Sequence, residues 1–154
     1  MGRRRRARGL VLLEVMLFLL VIVLAVGLVA LALGRVRHGT RLNQFGSELQ
    51  AFAAAFKQAR AERGRWPATA AEAGPGVVDA GWSDSSVFGG EYGWVAPAGG
   101  RPGMITLTAF APNFPLGLTR ADLLAIDRQI DDGDLKAGRF RTGFNGWPVY
   151  LIPE

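Results

Sequence analysis

The stretch "RRRRARGLVLLEVMLFLLVIVLAVGLVALALG", residues 3–34, decides how the rest of this chain is read. From Leu10 to Leu33 it holds one ionisable side chain, Glu14, in an otherwise unbroken apolar run. At 1.5 Å per residue that run makes about 36 Å of helix, enough to cross a hydrocarbon core of about 30 Å. Arg3, Arg4, Arg5, Arg6 and Arg8 stand immediately before it, so the positive-inside tendency holds the amino end in the cytoplasm and sends the remainder across. Arg35, Arg37 and Arg41 follow the run and weaken that asymmetry without reversing it.

The same five arginines account for the formal charge of +5, and everything after Gly9 sums to zero. A nucleic-acid surface would spread its bases over a folded face among aromatic or polar base readers; here they abut a hydrophobic segment, so no nucleic-acid partner is expected. There is no cysteine, which removes disulfides and thiolate metal sites. A small exported part would have to be held by packing, by partner subunits or by a bound ion.

Three readings compete for the apolar run. A secretory signal peptide shares the basic start, and Ala30 and Ala32 offer a small-x-small sequence, but its apolar stretch is shorter and free of acids. A plain anchor, the stalk of a membrane-bound binding module of the cell envelope, explains length and orientation. It leaves Glu14 without a reason, since a carboxylate near a helix centre costs about 2.5–3.5 kcal/mol to insert.

The third reading explains the acid. A short basic leader, Gly9, four apolar residues from Leu10, Glu14 and then about twenty more apolar positions resemble the amino-terminal processing signal of type IV pilins and type II secretion pseudopilins. The resemblance implies cleavage by a prepilin peptidase between Gly9 and Leu10 on the cytoplasmic side, methylation of the new amino terminus at Leu10, and a role for Glu14 in docking each subunit onto its predecessor. It also implies further partners: copies of the chain and other pilin-like subunits, an inner-membrane assembly platform, and the bilayer. Leu10 stands where the family usually has phenylalanine, with the apolar character kept. A carboxylate in lipid is poorly solvated, and a neighbour's positive amino terminus would compensate it.

Beyond the run, Leu42, Phe45, Leu49, Phe52 and Phe56 recur at steps of three and four, with Glu48 among them and Lys57, Arg60 and Arg63 following, an apolar stripe on an amphipathic helix. Gly27, Gly34, Gly39 and Gly46 interrupt it, each at about 1 kcal/mol relative to alanine, and Gly34 and Gly39 are expected as a hinge at the membrane exit. Gly64 and Pro67 should end the helix. "SVFGGEYGWVAPA" and "GMITLTAFAP" read as a hairpin with a long loop, and "GRFRTGF" with "WPVYLIPE" as a second. Between them "LTRADLLAIDRQIDDG" reads as a helix with Thr119 as N-cap, Asp122 three residues on, and an apolar side of Leu123, Leu124, Ile126 and Ile130.

The expected organisation is a cleaved leader over 1–9, a transmembrane helix over 10–33, its amphipathic continuation over 34–65, and a small head over 66–154. The fold class is α+β: a long amino-terminal helix, transmembrane in its first half, packed through its second half on a small antiparallel sheet, resembling the pilin fold. Trp66, Trp82, Trp94 and Trp147 are expected as core or loop anchors.

No catalytic residue is expected, and the chain is read as a non-enzymatic subunit. His38 is the only histidine, and "GGEYG" and "AGGRPG" read as turns rather than phosphate loops. The best acid cluster is Asp127, Asp131, Asp132 and Asp134. Major pseudopilins as a group carry a carboxy-terminal calcium site, but "FNGWPVY" does not match its characteristic stretch, and the acids lack the twelve-residue calcium-loop pattern. The expectation is therefore no cofactor and no metal, with Asp131, Asp132 and Asp134 as the residues calcium would use. Pseudopilus and pilus subunits are not separated by these residues; the missing cysteine pair and the small head favour the first.

Overall fold

The computed structural model describes the backbone of residues 3–111 and 115–153, and the side chains from Leu13 onward within those ranges. It divides into two compact units, Met1–Gly39 and Thr40–Glu154. One helix, α1 (Arg3–Arg63), contributes to both. It is the one described helix long and apolar enough to cross a membrane.

In the first unit the large apolar side chains from Leu13 to Val36 are all exposed, Phe18 at 67% and Leu28 at 69%. A helix apolar and exposed on every side is suited to lipid, where all backbone groups must be satisfied within the segment. The helix runs unbroken through Gly27, Gly34, Gly39 and Gly46, so the expected hinge at Gly34 and Gly39 is not seen as a break in α1. Among the described residues, and apart from the helix's own backbone and the adjoining residues, nothing lies within 4 Å of a Cβ built at Gly27, Gly34 or Gly39.

In the second unit the remainder of α1 is amphipathic as its sequence requires. Phe45, Leu49, Phe52 and Phe56 are buried, with Leu42 packed at their margin. Gly46 lies on this face for a packing reason: a Cβ there would come 3.0 Å from Ile130 Cγ2. Gly64, in the left-handed region at φ 69°, ends α1 and donates its N–H to the Arg60 carbonyl at 2.8 Å. A 3-10 turn (Ala71–Ala73) and the short α2 (Pro75–Asp79) follow.

The sheet has four strands, β1 (Glu91–Val95), β2 (Gly103–Thr108), β3 (Phe140–Thr142) and β4 (Pro148–Ile152), in the order β1-β2-β4-β3, all antiparallel. Both expected hairpins form, with Tyr92 opposite Leu107 in the first and Phe140 opposite Tyr150 in the second. The last strand joins them, placing Ile105 opposite Tyr150. Alternation along β2 and β4 buries Ile105, Leu107, Tyr150 and Ile152 on one face against the helical stripe.

Aromatic contacts dominate this core. Phe52 meets Tyr92 and Trp82 edge-on at 4.8 and 5.0 Å, and Phe56 stacks on Trp94 at 3.9 Å. Trp94 Nε1 donates to the Pro67 carbonyl at 2.9 Å, and the Tyr92 hydroxyl donates to Glu48 at 2.6 Å, so both polar tips are satisfied. Trp66, Trp82 and Trp94 all pack at the core margin, as anchors should. Between the hairpins lies α3 (Arg120–Ile130). Its Thr119 hydroxyl accepts from the Asp122 N–H at 3.2 Å, while Asp122 Oδ2 accepts from the Thr119 N–H at 2.9 Å, a complete capping box.

Candidate functional site

Two places carry residues with chemistry. The first is the amino-terminal helix. Gly9 and Leu10, the expected cleavage and methylation positions, lie outside the residues whose side chains are described. Glu14 is exposed on α1 among exposed Leu13, Val15, Leu17 and Phe18. Leu17 and Phe18, three and four positions on, share its face, so the carboxylate stands in an apolar strip. The next basic residue towards the carboxyl end is Arg35, twenty-one positions away, about 31 Å along a helix and beyond side-chain reach.

The second place is the turn from α3 into β3. The apolar face of α3 runs through Leu123, Ile126 and Ile130, and Asp127 falls on that face, four residues after Leu123 and three before Ile130. Asp127 is fully buried, with the Gly133 N–H near its carboxylate but no hydrogen bond of full geometry to either oxygen. Its backbone carbonyl accepts from the Asp131 N–H at 2.7 Å, which closes the helix and turns the chain back. One carboxylate oxygen from each of Asp127, Asp131 and Asp132 then lies within 4.8 Å of the others.

Each acid in the turn has a different setting. Asp131, partly buried, accepts through Oδ2 from the backbone N–H groups of Arg139 and Phe140, the latter at 2.8 Å, and faces the Arg139 guanidinium at 3.7 Å. Exposed Asp132 accepts through Oδ1 from the Asp134 N–H at 2.9 Å. Asp134 caps the Lys136 N–H at 3.0 Å and is not one of the three gathered carboxylates. Gly138, at φ 67°, is where the returning chain passes under the group: a Cβ there would run into the carboxylates of Asp131 and Asp132. Desolvation raises the Asp127 carboxyl above the ordinary aspartate range, the charges of Asp132, Asp131 and Asp134 push the same way, and the Gly133 N–H opposes them.

Sequence spacing named Asp131, Asp132 and Asp134 as candidate ligands; the structure gathers Asp127 with the first two. The available signal was an acid at helical spacing inside an apolar face, where its side chain must point inward. Two surface clefts are shallower in chemical content. One of about 410 Å³ is lined by Lys57, Arg60, Ala61, Gly64 and Pro153. The other, of about 380 Å³, is lined by Leu118, Arg120, Leu123, Leu135, Lys136, Thr142 and Gly146. Neither lining includes a histidine or carboxylate, and His38 is exposed in the first unit.

Compared with protein-family models, curated proteins and solved structures, this chain finds no match in any of the three.

Proposed function

We propose that this chain is a structural subunit of pilin type, processed at its amino terminus and polymerised through its helix into a pseudopilus or pilus-like filament. The observation that carries the reading is a single helical element of two characters. Its first part is apolar, exposed on all sides and marked by one carboxylate at Glu14; its second part presents a buried aromatic stripe to a four-stranded sheet.

On this reading the chain is stored as a single-pass protein of the cytoplasmic membrane, amino terminus inside and head in the periplasm or beyond. A prepilin peptidase removes 1–9 and methylates Leu10. Lateral packing of helices already desolvated in lipid then drives assembly, as van der Waals contact replaces lipid contact, and Glu14 of one copy meets the amino terminus of the next. Cleavage on the cytoplasmic side leaves the membrane helix whole, which cleavage after Ala32 would not.

The deciding experiment is the intact mass and amino-terminal peptide of membrane-extracted protein from cells with and without a prepilin peptidase. Loss of Met1 to Gly9 with a methyl group on Leu10, only when the peptidase is present, is the expected result. An uncut chain beside an active peptidase would refute the reading. Glu14→Ala should abolish filament incorporation while membrane insertion persists; undiminished incorporation would show that the acid has no part in docking.

A further inference from the structure

We propose that the heads of neighbouring copies meet through one heterologous contact, in which Val78, with Asp79 and Asp84 at the end of α2, seats in the next copy's cleft between Arg120 and Lys136. The inference rests on the filament reading, to which it adds the surface by which heads join.

The cleft is the acceptor. It holds about 380 Å³, with Leu118, Leu123 and Leu135 as an apolar floor and Arg120 and Lys136 as its charged groups. Both cations are exposed, and neither side chain pairs with a carboxylate among the described residues. A cleft with two unpaired cations and no acid in its lining is complementary to an apolar side chain flanked by negative charge.

The end of α2 supplies that pattern. Among the described residues of the head, the exposed large apolar side chains are Val78, Val95, Phe110 and Phe144, and Val78 alone has an acid beside it in the chain. Val77 is fully buried and anchors α2, leaving Val78 53% exposed. The chain then turns tightly: the Gly81 N–H donates to the Val78 carbonyl at 2.9 Å, and the Asp84 N–H to the Gly81 carbonyl at 3.1 Å. This turn returns a second exposed acid to the same corner, and neither Asp79 nor Asp84 pairs with a cation among the described residues.

Knob and cleft share no residue, so their contact is heterologous, and copies joined this way extend into a helical filament when the rotation does not close. Charge fixes the direction, because knob against knob or cleft against cleft would set like charges together. Exposed ion pairs are weak by themselves. Packed membrane helices tether the heads, so a weak second contact forms at high effective concentration.

The chain has no cysteine, so introduced cysteines report this contact alone. Full-length Asp79→Cys and Lys136→Cys variants are produced together in cells with a prepilin peptidase, and their membranes are treated with a short bismaleimide. The expected product is a dimer that goes no further, since each chain carries one half of the contact; a chain with both substitutions should give a ladder. Arg120→Asp and Asp79→Lys should each lower the yield of sheared filaments by at least about tenfold, and the two together should restore it. Arg120→Asp puts an acid at the start of α3, where the helix dipole favours it, so the head should keep its melting temperature. No dimer from the mixed variants would overturn the proposal, and a chain found cut after Gly9 in the same cells would leave the filament reading standing. A dimer from chains that stay uncut would keep the contact and remove that reading. A dimer from either variant alone would mean that like patches meet, and cross-linking of Lys136→Cys only to a different polypeptide would mean that the occupant is not a second copy; each overturns the proposal.

Discussion

Replacing Phe52 by alanine tests the central packing claim, that the stripe on α1 is the core of the head. Phe52 is fully buried and meets two aromatic rings edge-on, Tyr92 at 4.8 Å and Trp82 at 5.0 Å. Removing a buried phenylalanine side chain costs about 3–5 kcal/mol, and two edge-to-face pairs at about 0.5–1.5 kcal/mol each make up about 1–3 kcal/mol of that. A domain of this size has about 5–15 kcal/mol in total, so Phe52→Ala should lower the melting temperature by about 10–25 °C. Phe52→Leu keeps most of the volume and loses the ring pairs, and should cost about 1–2 kcal/mol. The assay is tryptophan fluorescence during thermal and urea unfolding of the detergent-solubilised chain. It reports the head, because Trp66, Trp82, Trp94 and Trp147 all lie there. Phe110→Ala is the control: that ring is 53% exposed in the same unit, and its loss should change stability by no more than about 0.5 kcal/mol. If Phe52→Ala proved as mild as Phe110→Ala, the stripe would not be the core and the packing of α1 on the sheet would be wrong.

Two further outcomes follow from local geometry. Tyr92 is held protonated well above pH 10, first by burial and then by its hydrogen bond to Glu48. Since its folded pKa is raised, its contribution is complete below the unfolded value near 10 and declines as pH climbs past it; alkaline titration of stability should show that decline, and Tyr92→Phe should remove it. At neutral pH the same substitution should cost about 1.5–3 kcal/mol, the range for a hydrogen bond to a charged acceptor. Thr119→Ala opens the capping box at the start of α3 and should cost about 1 kcal/mol in urea unfolding; an unchanged midpoint would mean that the cap is not formed in solution.

Much of the fold was legible because its causes are local. Period and composition mark an apolar span and an amphipathic continuation, and Thr119 with Asp122 marks the start of α3. Gly64, four residues after Arg60, marks the end of α1. Each depends on neighbours within a few residues, where side-chain geometry and backbone preference act directly. Gly46 was read in the same local terms as a weakness in the helix, and there the reading failed. Its neighbour is Ile130, distant in sequence, and only packing of α3 against α1 shows that the missing side chain makes room.

The acid cluster divides in the same way. Asp131, Asp132 and Asp134 stand together on the page, and loop acids at short spacing suggest a cation. Asp127 joins them through the turn at the end of α3, and its burial strips water from its carboxylate. Sequence alone determined a membrane-length apolar helix with one acid, an amphipathic extension, and two hairpins flanking a capped helix, because these follow from periodicity and turn chemistry. The tertiary structure decided that β4 lies between β2 and β3, that Gly46 receives Ile130, and that Asp127 is desolvated beside two other carboxylates. Those depend on which distant surfaces exclude water from one another, a property of the assembled core that no local window contains.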